Sequence, residues 1–308
     1  MRMKLMHCTL LQFLIFCVVV LTAFTHAIAG DLLEIKEKGV LRHLGIPYAN
    51  FITGSGDGLD ADLIRLFAAH LGVQYQYIPT TWENWTEDLT GKKYEVTGNE
   101  VKIVGTSEIR GDLIASGLTV LPWRQQLVDF SMPTFPTQVW LITRGDLAVD
   151  PIRPSQDIGQ DIVAVKSLFE EGKVQEVMGK KATCLDPALY GLKNIRTRIK
   201  IVDFNLNELA PALINGEAES TLLDGPDALI ALEKWTGQIK VIGPVSEQQS
   251  MSVGFPKSSP KLREAFNVFL HQCKEDGTYY RLIMKYYPNA RAYFPAFFDE
   301  ITPEKINP

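Results

Sequence analysis

Cysteine and histidine are scarce in this chain of 308 residues, which contains four cysteines and five histidines. The histidines are scattered, and no group of them with cysteine has the spacing of a metal site. The chain also lacks the G-x-S-x-G, H-E-x-x-H and G-x-x-x-x-G-K-[ST] motifs. These absences argue against a metalloenzyme, a hydrolase with a nucleophile elbow and a nucleotide-dependent enzyme. We therefore expect no metal, no cofactor and no catalytic residue.

Long apolar runs are absent after the first 30 residues. The chain begins with Arg2 and Lys4, continues with an apolar run over residues 9–24, and then has Ala-Ile-Ala ending at Ala29. This order is typical of a secretory signal peptide. A membrane anchor is the alternative, but a run of about 16 residues is short for a bilayer span. We expect a cleaved signal peptide at residues 1–29 and a soluble, exported mature protein.

Positive charge is not in excess either, because the formal net charge is -5. This mild acidity gives no support to nucleic-acid binding. The remaining length, about 280 residues, suggests one large or two medium domains with a substantial core.

Short apolar runs alternate with helical stretches along the chain. Apolar residues with a helical period predict a helix over residues 59–71 that ends at Gly72. The alternation predicts an α/β fold with mostly parallel sheets. The predicted strands are residues 40–46, 73–78, 113–115, 139–143, 162–165, 200–202, 220–223, 239–242 and 251–255.

The stretch GDLIASGLTVLPWRQQLVDFS, residues 111–131, is the most informative part of the chain. Pro122 suits the first position of a helix, which puts Arg124 in the first turn, where the helix dipole disfavours a cation. An anion bound between the guanidinium, the free helix N–H groups and the Thr119 hydroxyl would explain this placement. An exposed arginine near a turn is the alternative.

This segment resembles the G-x-T-x-T-x-x-R…V-x-F-S signature of family 3 extracytoplasmic solute-binding proteins, the amino-acid receptors of bacterial ABC importers. This chain also resembles other segments of the family, in the same order, at residues 39–51, 58–72, 219–232 and 251–288. The resemblance implies a two-lobed periplasmic binding protein type II fold with hinge-linked, mostly parallel sheets. It places the first lobe at residues 30–136 and 244–308 and the second at 137–243. It also implies a periplasmic monomer that delivers its ligand to the membrane permease of an ABC transporter.

The resemblance further implies a ligand with a carboxylate, such as an amino acid. A selective receptor holds the carboxylate with a bidentate cationic group and the ammonium with an acid. Asp224 would hold the ammonium from the second lobe, although a cap or turn role is the alternative for this residue. The first-lobe positions that match are Arg124, Thr119, Gly117 and Ser116, with Phe51, Tyr48 and Trp82 as aromatic walls.

Some positions depart from the family. Leu121 replaces a threonine that mostly caps the helix in the family. The second-lobe hydroxyl step falls on Ser167, in an S-x-x-E capping box that predicts a helix start. Residues 95–110 are read as a hairpin insertion. Cys184 and Cys273 would fall in different lobes, so we expect two buried thiols rather than a disulfide.

Two further readings stay open. The chain could be an enzyme on the same scaffold, similar to periplasmic cyclohexadienyl dehydratases, which needs a buried general acid that the sequence does not identify. It could also be a sensory or accessory module. Similar lobes precede a catalytic domain in membrane-bound lytic transglycosylases, and we expect no such domain after Pro308.

Overall fold

The computed structural model describes residues 30–97, 99–192 and 196–302, so the predicted signal peptide lies outside the described residues. The helices are α1 (Leu32–Lys38), α2 (Leu59–Leu71), α3 (Trp85–Thr90), α4 (Pro122–Leu127), α5 (Ile158–Glu170), α6 (Leu209–Ile214), α7 (Gly225–Lys234), α8 (Pro260–Glu275), α9 (Thr278–Tyr286) and α10 (Pro295–Ile301). The strands are β1 (Val40–Gly45), β2 (Gln74–Pro79), β3 (Lys92–Thr97), β4 (Glu100–Thr106), β5 (Leu113–Ile114), β6 (Val128–Phe130), β7 (Phe135–Thr137), β8 (Val139–Arg144), β9 (Glu176–Gly179), β10 (Arg198–Ile201), β11 (Ser220–Asp224), β12 (Ile239–Pro244), β13 (Gln249–Met251) and β14 (Gly254–Pro256).

Two five-stranded sheets organise the fold. The strand order is β2-β1-β5-β14-β6 in the first sheet and β10-β9-β11-β8-β12 in the second. We call the parts built on these sheets the first and second lobes. Pairings on one side of each sheet are parallel, whereas those that involve β14 or β8 are antiparallel. Four of the five strands in each sheet therefore run in the same direction, and one strand, β14 in the first sheet and β8 in the second, runs the opposite way. The mostly parallel sheets that the sequence predicts are confirmed.

The helix predicted over residues 59–71 is confirmed as α2. Its apolar stripe, which includes Leu63 and Phe67, is buried. Gly72 ends the helix with a φ of 74°, and its N–H group bonds the carbonyls of Ala68 and Ala69. A left-handed residue at this position favours glycine, which explains why the helix ends there.

The strand predicted at residues 162–165 is wrong, because these residues lie inside α5. Asp161, Val165 and Phe169 are the buried positions, and their spacing of four is that of one helix face. A short apolar run alone does not distinguish a strand from a buried helix segment. The capping box at Ser167 is also wrong: Asp157 caps α5, and its carboxylate accepts the N–H groups of Gly159 and Gln160.

Two antiparallel strands, β7 and β13, join the lobes. Phe135 of β7 lies opposite Met251 of β13, and Thr137 lies opposite Gln249. The resemblance implies that the second lobe ends at residue 243, whereas β12 pairs with β8 as far as Pro244. The return to the first lobe therefore follows a few residues later.

Aromatic side chains after α9 pack over this connection. The ring centroid of Phe135 lies 5.1 Å from that of Tyr287 and 6.1 Å from that of Phe294. The ring of Tyr293 lies 6.0 Å from that of Trp140, which belongs to β8 of the second lobe. The C-terminal part of the described chain thus contacts both lobes.

The inserted segment forms the predicted hairpin, in which β3 and β4 pair with each other antiparallel. Cys184 and Cys273 are both free and buried, as expected. Among the helices in the described ranges, the structure contains none with the length and apolar character needed to cross a bilayer.

A buried histidine predicts how stability depends on pH. His43 of β1 is fully buried between the Tyr75 hydroxyl, 2.9 Å from Nδ1, and the Ala115 carbonyl, 2.8 Å from Nε2. Burial lowers the pKa of His43 from 6.5 to about 4. The unfolded chain therefore binds a proton that the folded chain excludes, and stability is lost as the pH falls from 6.5 towards 4. This loss reaches about 3 kcal/mol.

Urea unfolding at several pH values tests this. We expect the free energy of unfolding to fall more steeply below pH 6.5 in the wild type than in His43→Gln, which has no imidazole to protonate. Parallel slopes for the two proteins would show that His43 does not carry this pH dependence.

Candidate functional site

Arg124 lies on the short helix α4 and is fully buried. Pro122 is at the start of this helix, as predicted, and the preceding residue, Leu121, makes no side-chain cap. Nη1 of Arg124 donates to the carbonyl of Thr119 at 2.9 Å. Nε and Nη2 have no partner in the structure, and neither does the buried Thr119 hydroxyl. Buried polar groups are rarely left unpaired in proteins, so these atoms are candidate donors to a ligand.

Tryptophan rings surround the guanidinium instead of a carboxylate. The guanidinium carbon lies 5.2 Å from the ring centroid of Trp123, 5.6 Å from that of Trp82 and 5.7 Å from that of Trp85. Such cation–π contacts contribute about 0.5–2 kcal/mol each. Burial lowers the pKa of Arg124 to about 10, so the group remains a cation at neutral pH. Trp123 is buried against Arg124.

Ser116 and Gly117 shape the loop before Arg124. The Ser116 hydroxyl accepts the N–H of Ile46 at 2.8 Å and donates to the carbonyl of Ala115 at 2.6 Å. The N–H of Gly117 donates to Oδ2 of Asp60 at 2.6 Å. Both groups are thus satisfied within the protein. Burial raises the pKa of Asp60 to about 7.

Gly117 also allows the Phe51 ring to pack closely against the backbone of this loop. Its φ is 60°, and a Cβ atom at this position would lie 2.5 Å from Cδ2 of Phe51. A larger residue would therefore displace the Phe51 ring or strain the backbone. Phe51 itself is fully buried, and its ring lies 5.7 Å from that of Phe135 in the connecting strand.

Asp224 is a predicted site residue of the second lobe. It ends β11 and caps α7, because its Oδ1 accepts the N–H of Asp227 at 3.2 Å. Its Oδ2 accepts the Tyr48 hydroxyl at 2.5 Å and the Cys184 thiol at 3.6 Å. Burial raises the pKa of Asp224 to about 6. Asp224 is therefore both a helix cap and a contact across the cleft.

The lobes are closed on each other in this structure. Tyr48 belongs to the first lobe and Asp224 to the second, and both are fully buried. Nζ of Lys180 also pairs with Oε1 of Glu83 at 2.9 Å. Tyr48 packs edge-on against Trp82, with ring centroids 5.7 Å apart. Of the predicted site residues, the cleft thus gathers Arg124, Thr119, Tyr48, Trp82 and Asp224 directly, with Ser116, Gly117 and Phe51 packed behind them.

Ser167 stands apart from this group. Its hydroxyl donates to the carbonyls of Val163 and Ala164 in its own helix.

The second-lobe residue that the sequence analysis did not predict for the site is Cys184, which follows β9 in the run Lys180-Lys181-Ala182-Thr183-Cys184. Ala182 has a left-handed φ of 59°. A small residue followed by a hydroxyl residue after an apolar strand was the available signal.

In the part of the chain that the structure describes, no group of three or more histidine, cysteine, aspartate or glutamate side chains could hold a metal ion. The arrangement instead offers a cation with free N–H donors facing a carboxylate on the opposite lobe.

Comparison with known proteins agrees with this architecture. Residues 102–289 match the profile of the family described as bacterial extracellular solute-binding proteins, family 3. The chain belongs to this family. It is 26% identical over 241 residues to the amino-acid-binding protein AabA of Dichelobacter nodosus, covering 77% of this chain and 81% of that protein. It is 24% identical over 267 residues to the L-cystine-binding protein TcyJ of Escherichia coli, covering 84% and 86% of the two chains.

Proteins of another kind are also similar to this chain. Two membrane-bound lytic murein transglycosylases F, from Desulfosudis oleivorans and Methylobacillus flagellatus, are 23% and 24% identical, and the match spans 44% and 49% of their length. This chain thus spans about half the length of these relatives.

Solved structures show the type II periplasmic binding protein fold. A mutant of the arginine-binding protein ArgBP from T. maritima has a TM-score of 0.65 at 22% identity, covering 84% of this chain and 99% of that chain. The ancestral amino-acid-binding protein AncCDT-1 has a TM-score of 0.63 at 24% identity, covering 83% and 98%.

The unpaired guanidinium predicts that Arg124 destabilises the ligand-free protein. Replacing a buried charge with an apolar side chain of similar size is often neutral or stabilising by about 1–4 kcal/mol. We expect Arg124→Met to raise Tm by several degrees in differential scanning calorimetry without ligand.

Arg42→Met is the matched control. The Arg42 guanidinium donates to Oδ1 of the buried Asp112 at 2.7 Å, so its loss leaves a buried carboxylate that keeps the backbone N–H of residue 42 but has lost its counter-ion, and Tm should fall. If Arg124→Met lowers Tm as much as Arg42→Met does, Arg124 stabilises the fold and its free N–H groups are not reserved for a ligand.

Proposed function

We propose that this protein captures a small carboxylate solute, an amino acid or a related carboxylate, between its lobes by hinge closure. The observation that carries the proposal is the buried guanidinium edge of Arg124, whose Nε and Nη2 have no partner in the structure. Only an anion could satisfy these donors and the charge together. The names of AabA and TcyJ, an amino-acid-binding and an L-cystine-binding protein, support the solute class.

In the proposed complex, Arg124 and Thr119 hold the carboxylate from the first lobe. Asp224 completes the site from the second lobe, and Tyr48, Phe51 and Trp82 exclude water around the ligand. Ser116 and Gly117 position this wall. Contacts from both lobes favour the closed state, because a ligand shifts a conformational equilibrium by its differential affinity for the two states. A ligand role for Ser167 stays a sequence prediction, which this geometry does not support.

We also propose that the protein is a periplasmic monomer that passes its ligand to the membrane permease of an ABC transporter. Membership of the family supports this proposal. Cell fractionation and N-terminal sequencing would test the location, with a mature chain beginning at Gly30 as the expected result. Uptake of labelled ligand should fall when the gene is deleted, and unchanged uptake would contradict a transport role.

The role of Arg124 can be tested directly. A thermal-shift screen of amino acids, di-acids and opines first identifies a solute that binds. In calorimetric titration with that solute, Arg124→Ala should weaken binding at least about tenfold to a hundredfold, because a charge-assisted pair is worth about 1.5–3 kcal/mol. Arg124→Lys should restore little, since a lysine does not reproduce the bidentate geometry.

Arg65→Ala serves as the control, because Arg65 pairs with Asp62 on the exposed face of α2. Its affinity should equal that of the wild type. Near-normal binding by a folded Arg124→Ala would place the anion site elsewhere.

A second candidate function is an enzyme on the same scaffold. One observation favours it: Asp224 is an acid buried in the cleft, and burial raises its pKa to about 6, within the range of a general acid. The solute found in the screen can be incubated with the protein and followed by NMR. Release of the unchanged solute supports the binding function, whereas turnover that is lost in Asp224→Asn supports the enzyme.

A further inference from the structure

The carboxylate of Asp224 is already bonded by the protein itself. Tyr48 and Cys184 donate to its Oδ2 at 2.5 and 3.6 Å, and the N–H of Asp227 donates to Oδ1 at 3.2 Å. An ionised carboxylate offers about four acceptor positions. Three donors from the protein therefore leave little room for the three N–H donors of a ligand ammonium group.

The first-lobe half of the site has the opposite imbalance. Its unpaired buried atoms are all able to donate: Nε and Nη2 of Arg124, the Thr119 hydroxyl and the indole N–H of Trp82. This half of the site therefore has an unmet demand for acceptors. An ammonium group would add a second cation near the guanidinium, and the two positive charges would repel each other.

The Tyr48 hydroxyl is held where it meets Asp224. Its ring is fully buried, stacked on Phe51 with centroids 6.3 Å apart and edge-on to Trp82 at 5.7 Å. Its backbone N–H donates to the carbonyl of Ile52 at 3.0 Å, which fixes the turn that carries it. Moving the hydroxyl away from Asp224 would disturb this packing.

We propose that Tyr48 determines specificity, because its hydroxyl takes the place on Asp224 that the ammonium group of an amino acid would take. This inference rests on the proposed function and sharpens it. The preferred ligand is a small carboxylate without an ammonium group, such as a hydroxy, oxo or unsubstituted acid, with its carboxylate on Arg124.

Matched pairs of solutes test the proposal. The probes are L-phenylalanine with L-phenyllactate, L-alanine with L-lactate, and L-glutamate with glutarate, each titrated by calorimetry. The wild type should bind the acid that lacks the ammonium at least as tightly as its amino-acid counterpart. Tyr48→Phe frees an acceptor on Asp224, so the ratio of the two affinities should shift towards the amino acid by about tenfold.

Tyr279→Phe is the matched control. The Tyr279 hydroxyl is equally buried but donates to the carbonyl of Thr134, so its loss should leave the ratio unchanged. Amino acids that bind the wild type while their partners do not would overturn the inference and leave the proposed function intact. A ratio unchanged in Tyr48→Phe would also overturn it. Binding of neither class would contradict the proposed function itself.

Discussion

A buried guanidinium that forms no salt bridge with the described residues is the constraint on which the cleft depends. Removing a guanidinium from water costs several kcal/mol unless its charge and its N–H groups are satisfied. Here one N–H meets the Thr119 carbonyl and three tryptophan rings supply cation–π contacts, while the remaining edge is unpaired. Ser116 and Gly117 could otherwise hydrogen-bond an incoming anion, but both are already hydrogen-bonded to other groups of the protein. The first lobe thus presents one charged edge, and folding energy is given up there for binding.

Closure follows from contacts that exist only when the lobes meet. The bond from Tyr48 to Asp224 and the pair of Lys180 with Glu83 both join the lobes. The aromatic packing of Tyr287 and Phe294 on Phe135 lies over the connecting strands. Hinge motion of packed lobes is the usual way in which such a site opens and closes. Because the protein supplies some of these contacts itself, the ligand needs to contribute only part of the closing free energy.

Much of this was accessible from the sequence. The period of α2, the placement of Arg124 in a short helix begun by Pro122, and Asp224 at the end of a buried strand all depend on local patterns. What the sequence could not predict depends on tertiary contacts. Residues 162–165 lie in a helix whose buried positions are four apart, so the segment with Ser167 does not follow a strand as the sequence predicts. The second-lobe residue that contacts Asp224 is instead Cys184. The bond between Tyr48 and Asp224 joins residues 176 apart in the chain.

The central claim is that the free edge of Arg124 receives the anion of the ligand. NMR of the protein labelled at the arginine Nε tests it most directly, with the Arg124 signal assigned by its loss in Arg124→Lys. On titration with a carboxylate that binds, the Arg124 Nε–H signal should move downfield and saturate together with the calorimetric binding curve, as expected for a new charge-assisted hydrogen bond. A signal that stays in place while binding saturates would contradict the account.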